Sequence, residues 1–119
     1  MVERICWLIL ALIVHLPPFA AFFVPSLITK FYSVPANDPN FALLHHRAAL
    51  FGVIALACLW AEFEPDVRKL SFVLAALSMV SFLAIYWGYG QPVPLKTIAL
   101  ADALGLPILA YVGWKAFSA

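Results

Sequence analysis

The sequence predicts an all-α integral membrane protein, an antiparallel four-helix bundle that forms a single domain over residues 1–119. Of these residues, 66% are hydrophobic and 11% are charged, which leaves too little polar surface to coat a water-soluble globule. Four apolar segments each have about the 20 residues that an α-helix needs to cross the hydrocarbon core. Because the connections between them are short, consecutive helices must lie side by side in opposite directions.

The four predicted helices follow one another along the chain with few residues to spare. They cover residues 5–25, 41–61, 70–89 and 95–114. The connections hold the prolines, glycines and charges that end helices at a water interface, and they comprise residues 26–40, 62–69 and 90–94. The first segment is longer than the apolar core of a signal peptide and lacks a small-residue cleavage site. We therefore expect it to remain as the first helix.

Charged and aromatic residues near the helix ends predict the orientation. The end with both termini carries Arg4, Arg68, Lys69 and Lys115, and the opposite end carries Lys30 and Lys96. Because short loops rich in Lys and Arg stay in the cytoplasm, we expect both termini to be cytoplasmic. Four tryptophans are expected to anchor the helices at the two interfaces, namely Trp7, Trp60, Trp87 and Trp114.

Four ionisable residues fall inside the apolar segments, where an unpaired charge is costly. They are His15, His46, Arg47 and Asp102. Arg47 is six residues into the second helix and Asp102 is seven residues into the fourth, so each lies roughly 9 to 10 Å below the same end. We expect the two charges to contact and neutralise each other. The contact either joins the two helices or shapes a polar pocket; alternatively, Arg47 extends to the surface and the two never meet.

His15 lies near the middle of the first helix, shortly before two prolines. Pro17 and Pro18 have no N–H group, so the carbonyls of Ile13 and Val14 lose their helical donors. A neutral His15 ring or a water molecule can supply the missing donor. We expect the histidine to have this structural role.

The other two histidines adjoin Arg47. Consecutive helical residues point about 100° apart, so at most one of them shares the direction of Arg47, and we expect it to be His46 rather than His45. His15 and His46 are the one histidine pair that could meet across the core, but they lie at different depths and no carboxylate or cysteine completes a shell. We therefore expect no metal, no haem and no other cofactor. Phosphate loops, GxSxG elbows and dinucleotide fingerprints are also missing from the sequence.

Four stretches carry a resemblance to a known family. They are LIVHLPP around His15, DPNFALLHHRAALFGVIAL at residues 38–56, LSMVSFLAIYWGYG in the third helix and IALADALGLPILA around Asp102. In this order they resemble a family of small bacterial four-helix membrane proteins of uncharacterised function. The resemblance implies a bacterial inner membrane and marks His15, His46, Arg47 and Asp102 as the polar positions of the family. Members often carry the name phosphopantetheine adenylyltransferase, but this chain has neither the α/β nucleotide-binding domain nor the HxGH-type motif that such an enzyme needs.

The chain presents no complete catalytic constellation, so we predict no catalytic residues. The sequence favours a non-catalytic accessory or scaffold subunit of a membrane assembly. The alternative is a module that uses its His/Arg/Asp cluster to bind a lipid or quinone headgroup or to relay protons, and a quinone-linked or lipid-modifying enzyme is a third possibility. The expected partners are membrane lipids and either other membrane subunits or further copies of the chain. Nucleic acid is not expected at a net charge of +1.

Overall fold

The computed structural model describes residues 1–118, which contain helices and no strand. The four long helices, here called the first to fourth helices, are Val2–Phe23, Phe41–Phe63, Arg68–Gly88 and Lys96–Phe117. A short helix, Ser26–Tyr32, follows the first helix, and 3-10 turns at Pro65–Val67 and Val93–Leu95 precede the third and fourth. All four long helices are long and apolar enough to cross a membrane. The chain thus has the character of a multi-pass membrane protein.

The long helices form a closed ring in chain order. Each packs against the next, and the fourth packs back against the first. The second and fourth helices therefore lie diagonally across the bundle, as do the first and third. The bundle is 49 Å long and 29 by 18 Å across. The prediction of an all-α four-helix bundle is confirmed.

The connection after the first helix contains the short helix Ser26–Tyr32, where the sequence predicted only a loop. Ile28 on this helix is completely buried and packs with Ala21 and Ala48. Tyr32 packs against two groups of buried residues. One comes from the third and fourth helices, and the other includes Ala21 of the first helix and Ala48 of the second. The chain leaves the helix through Ser33 in a left-handed conformation, with φ at 58°. The short helix thus covers the end of the bundle opposite the termini.

The first helix changes its hydrogen-bond pattern in the middle. It is α-helical over Val2–Ile9, π-helical over Leu10–His15 and α-helical again over Leu16–Phe23. The N–H of Leu16 bonds to the carbonyl of Ala11, five residues back. Widened turns of this kind are rare and often occur at functional sites.

The end of the bundle that carries the termini is held by charged side chains. Arg68 donates to the Glu3 carboxylate at 3.1 Å and to the carbonyls of Ala61 and Glu62 at 2.7 and 3.0 Å. Arg4 pairs with Glu62 at 3.6 Å. Because the last carbonyls of a helix have no partner within it, Arg68 caps the second helix and joins it to the first. The sequence had put Glu62 in a loop, whereas it is buried in the last turn of the second helix.

The tryptophans divide into two groups. Trp60, Trp87 and Trp114 are 58 to 64% exposed near helix ends, as interfacial anchors should be. Trp7 was expected to be a fourth anchor, but it is fully buried in the core. It packs with small side chains such as Ala61, which leave room for the indole, and this explains why the expectation was wrong.

Two glycines allow close contact between neighbouring helices. A Cβ added at Gly52 would overlap the ring of Phe19, and one added at Gly113 would overlap the ring of Phe72. The phenylalanine rings thus lie directly against glycine backbone. Small residues at such positions let membrane helices gain packing contacts.

Candidate functional site

A cavity of about 400 Å³ lies between the second and third helices, in the half of the bundle away from the termini. The two helices line it with Arg47, Leu50, Phe51, Ile54, Ser78, Ser81, Phe82 and Ile85. The side chains of Leu50 and Ile85 are 49 and 56% exposed, so the cavity opens sideways on the surface that acyl chains would contact. Its volume falls in the range of small-molecule binding sites.

Arg47 supplies the charge of this cavity. Its guanidinium carbon lies 5.0 Å from the ring centres of Phe51 and Phe82 and 5.6 Å from that of Tyr32. These distances allow cation–π attraction, which holds the guanidinium in place. No acceptor within residues 1–118 forms a hydrogen bond or an ion pair with it. Its N–H donors therefore have no protein acceptor in the described part of the chain.

Asp102 does not pair with Arg47, contrary to our expectation. The ion pairs of the described residues lie at the other end of the bundle. The physical reason is that the second and fourth helices are diagonal, while aromatic rings turn the guanidinium toward the third helix. The Asp102 side chain is 4% exposed, and no side-chain hydrogen bond to it occurs in the described part of the chain.

Tyr32 lies within reach of both charges. Burial raises the pKa of its phenol above the usual value, the positive charge of Arg47 opposes that rise, and the negative charge of Asp102 adds to it. Arg47 and Asp102 thus lie at the same end of the bundle without touching. The short helix brings the Tyr32 ring centre to 5.6 Å from the guanidinium carbon of Arg47.

His15 is buried behind the wall of the cavity. Its Nδ1 lies 2.9 Å from the carbonyl oxygen of Leu10 and its Nε2 lies 3.2 Å from the hydroxyl of Ser78. Because a carbonyl can only accept, we assign the proton to Nδ1, so that Nε2 accepts from Ser78. The expected partner was the carbonyl of Ile13 or Val14. The ring reaches Leu10 instead because the π-helical turn brings residues five apart together.

His46 does not belong to the site. Its side chain is exposed, whereas His45 is half-buried and its Nε2 donates to the carbonyl of Phe22 at 2.8 Å. The preference for His46 over His45 as the inward-facing residue was therefore wrong. Successive helical residues are rotated by 100°. Since Arg47 faces the third helix, His46 faces outward and His45 faces the first helix.

Sequence reasoning missed the residues around the guanidinium and the hydroxyl partner of His15. Phe51 was detectable because it lies four residues after Arg47, on the same helix face. Ser78 was visible as a polar residue in an apolar helix. Nothing in the sequence indicated Tyr32 or Phe82, which reach Arg47 from other elements of the fold.

The arrangement offers a cation, aromatic walls and two serine hydroxyls, which together are suited to binding. Within residues 1–118, no group of three or more His, Cys, Asp or Glu side chains could hold a metal ion. No family model matches the sequence, and comparisons with curated proteins and with solved structures find no match either.

Proposed function

We propose that the protein is a non-catalytic membrane subunit that holds an amphipathic molecule from the bilayer, with the headgroup against Arg47. The observation that carries this proposal is the guanidinium without an acceptor in a cavity that opens toward lipid. An unsatisfied charge in apolar surroundings is costly. An oxygen atom of a bound headgroup would accept its hydrogen bonds and remove that cost.

The lining of the cavity supports a ligand with an apolar part. Leucine, isoleucine and phenylalanine form most of its walls, and few polar groups interrupt them. Binding sites for small molecules combine apolar walls with a small number of placed polar groups in this way. A ligand of this kind would enter from the membrane through the rim at Leu50 and Ile85.

The proposed location is a bacterial inner membrane, with both termini in the cytoplasm. The family resemblance supports the membrane, and the excess of cations at the end with the termini supports the orientation. In this orientation the cavity lies in the outer half of the bilayer. The proposed partners are membrane lipids and the other subunits, or further copies of the chain, to which the bound molecule is presented.

The proposal is tested by neutralising Arg47. Arg47→Gln would be compared with the wild type and with Lys30→Gln, which removes a cation at the same end of the bundle but outside the cavity. Each delipidated protein is titrated in mild detergent with three probes: phosphatidylglycerol, phosphatidylcholine and a benzoquinone with a decyl tail. Bound molecules are counted by native mass spectrometry.

We expect the wild type and Lys30→Gln to bind at least one probe equally well. Arg47→Gln should bind it about 10- to 100-fold more weakly, because a hydrogen bond to a charged group contributes about 1.5 to 3 kcal/mol. Equal far-UV circular dichroism and elution volumes would show that all three proteins are folded. Undiminished binding by Arg47→Gln, or no binding of any probe, would overturn the proposal.

A further inference from the structure

The cavity has a second polar position, deeper in the bundle than Arg47. Arg47 is six residues from the start of the second helix, and Ser78 is ten residues from the end of the antiparallel third helix. At 1.5 Å per residue, Ser78 lies about 6 Å deeper than Arg47. The rings of Phe51 and Phe82 also line the cavity. A ligand can thus meet a polar group at each end and aromatic rings in the lining.

The Ser78 hydroxyl has a fixed direction. Its proton is directed to Nε2 of His15 in the first helix, and His15 is itself held by the Leu10 carbonyl. The oxygen of Ser78 is therefore available to accept, and its proton is already used. Ser81 on the same wall also donates its proton, to the carbonyl of Leu77 in its own helix. It is seven residues from the end of the third helix, so it lies at about the depth of Arg47 and not at the inner end of the cavity.

We infer that the preferred ligand is a tailed aromatic ring with oxygens at opposite ends, in its hydroquinone form. One ring oxygen accepts from Arg47, and the hydroxyl at the other end donates to Ser78. The flat ring packs against the aromatic lining of Phe51 and Phe82 beside the guanidinium, as aromatic pairs do. A benzoquinone has no proton to donate, so it makes only the Arg47 contact. This inference rests on the proposed function and names the ligand class of the same site.

A phospholipid meets these groups less well. Its phosphate accepts from Arg47, but its acyl chains then lie beside Ser78 and leave that hydroxyl without a ligand partner. An acyl chain also forms no hydrogen bond with the polar pair of Ser78 and His15. The deeper polar pair therefore favours a short headgroup with a hydroxyl at its inner end.

The test compares two forms of one probe. A para-hydroquinone with a decyl tail and the matching para-benzoquinone are titrated under anaerobic conditions into the wild type, Ser78→Ala and the control Ser71→Ala. Ser71 is on the same helix but outside the cavity. Since one neutral hydrogen bond distinguishes the two ligands, the wild type should bind the hydroquinone about 3- to 10-fold more tightly. Ser71→Ala should keep this preference, and Ser78→Ala should lose it.

The comparison between ligands in the wild type does not depend on whether a variant folds. Equal or tighter binding of the benzoquinone would overturn the inference, as would a preference that survives in folded Ser78→Ala. If phosphatidylglycerol binds in an Arg47-dependent way and neither ring compound binds, the inference fails while the proposed function stands. If no probe binds, both fail.

Discussion

Substituting Gly52 by alanine tests the packing between the first two helices. The added Cβ would overlap the ring of Phe19, so the ring has to move. That ring also contacts Phe22 and Phe23, at centroid distances of 6.2 and 5.1 Å, and its displacement would disturb both contacts. Overpacking of this kind costs about 1 to 3 kcal/mol. Replacing a helical glycine by alanine returns about 0.5 to 1 kcal/mol. We expect Gly52→Ala to lower the free energy of unfolding by about 0.5 to 2 kcal/mol.

The matched control is Gly88→Ala in the last turn of the third helix. A Cβ at this position meets nothing within 4 Å, so only the gain in helix propensity applies. Its stability should be unchanged or higher by up to about 1 kcal/mol. Unfolding would be followed by far-UV circular dichroism during titration of mixed micelles with sodium dodecyl sulfate. Equal stability of the two variants would refute the packing argument.

Two further predictions concern the end of the bundle that carries the termini. Arg68→Met removes three hydrogen bonds from a charged donor and should destabilise the protein by about 2 to 4 kcal/mol in the same assay. The control Lys69→Met, at the exposed neighbouring residue, should change stability by less than about 0.5 kcal/mol. Similar losses in the two variants would contradict the capping role of Arg68. A green fluorescent protein fused to the C-terminus should fluoresce in the cytoplasm, and an alkaline phosphatase fused there should be inactive; phosphatase activity would reverse the proposed orientation.

The number and extent of the long helices followed from the sequence, because a helix must be apolar over about 20 residues to cross the hydrocarbon core. The second helix was predicted over residues 41–61 and is observed at Phe41–Phe63. The first helix begins three residues earlier than predicted, since Glu3 and Arg4 in its first turn find partners at the same end of the bundle. The short helix was missed because seven residues are too few to give a clear apolar signal.

Which face of each helix points into the bundle did not follow from the sequence. In a soluble bundle the polar face of a helix marks its outside. In a membrane the outside is as apolar as the inside, so the pattern says little about rotation around the helix axis. Two of the wrong expectations about the site arise here, since equal depth suggested an Arg47–Asp102 contact and adjacency to Arg47 suggested an inward His46.

The sequence by itself therefore determined four apolar helices, their order and the depth of their polar residues, because these depend on hydrophobic length alone. Only the tertiary structure decided that Arg47 meets aromatic rings instead of Asp102 and that His15 reaches Ser78. Those contacts depend on which helices are neighbours and how each is rotated. The neighbours and the rotation of each helix are set by close packing among side chains of nearly equal hydrophobicity.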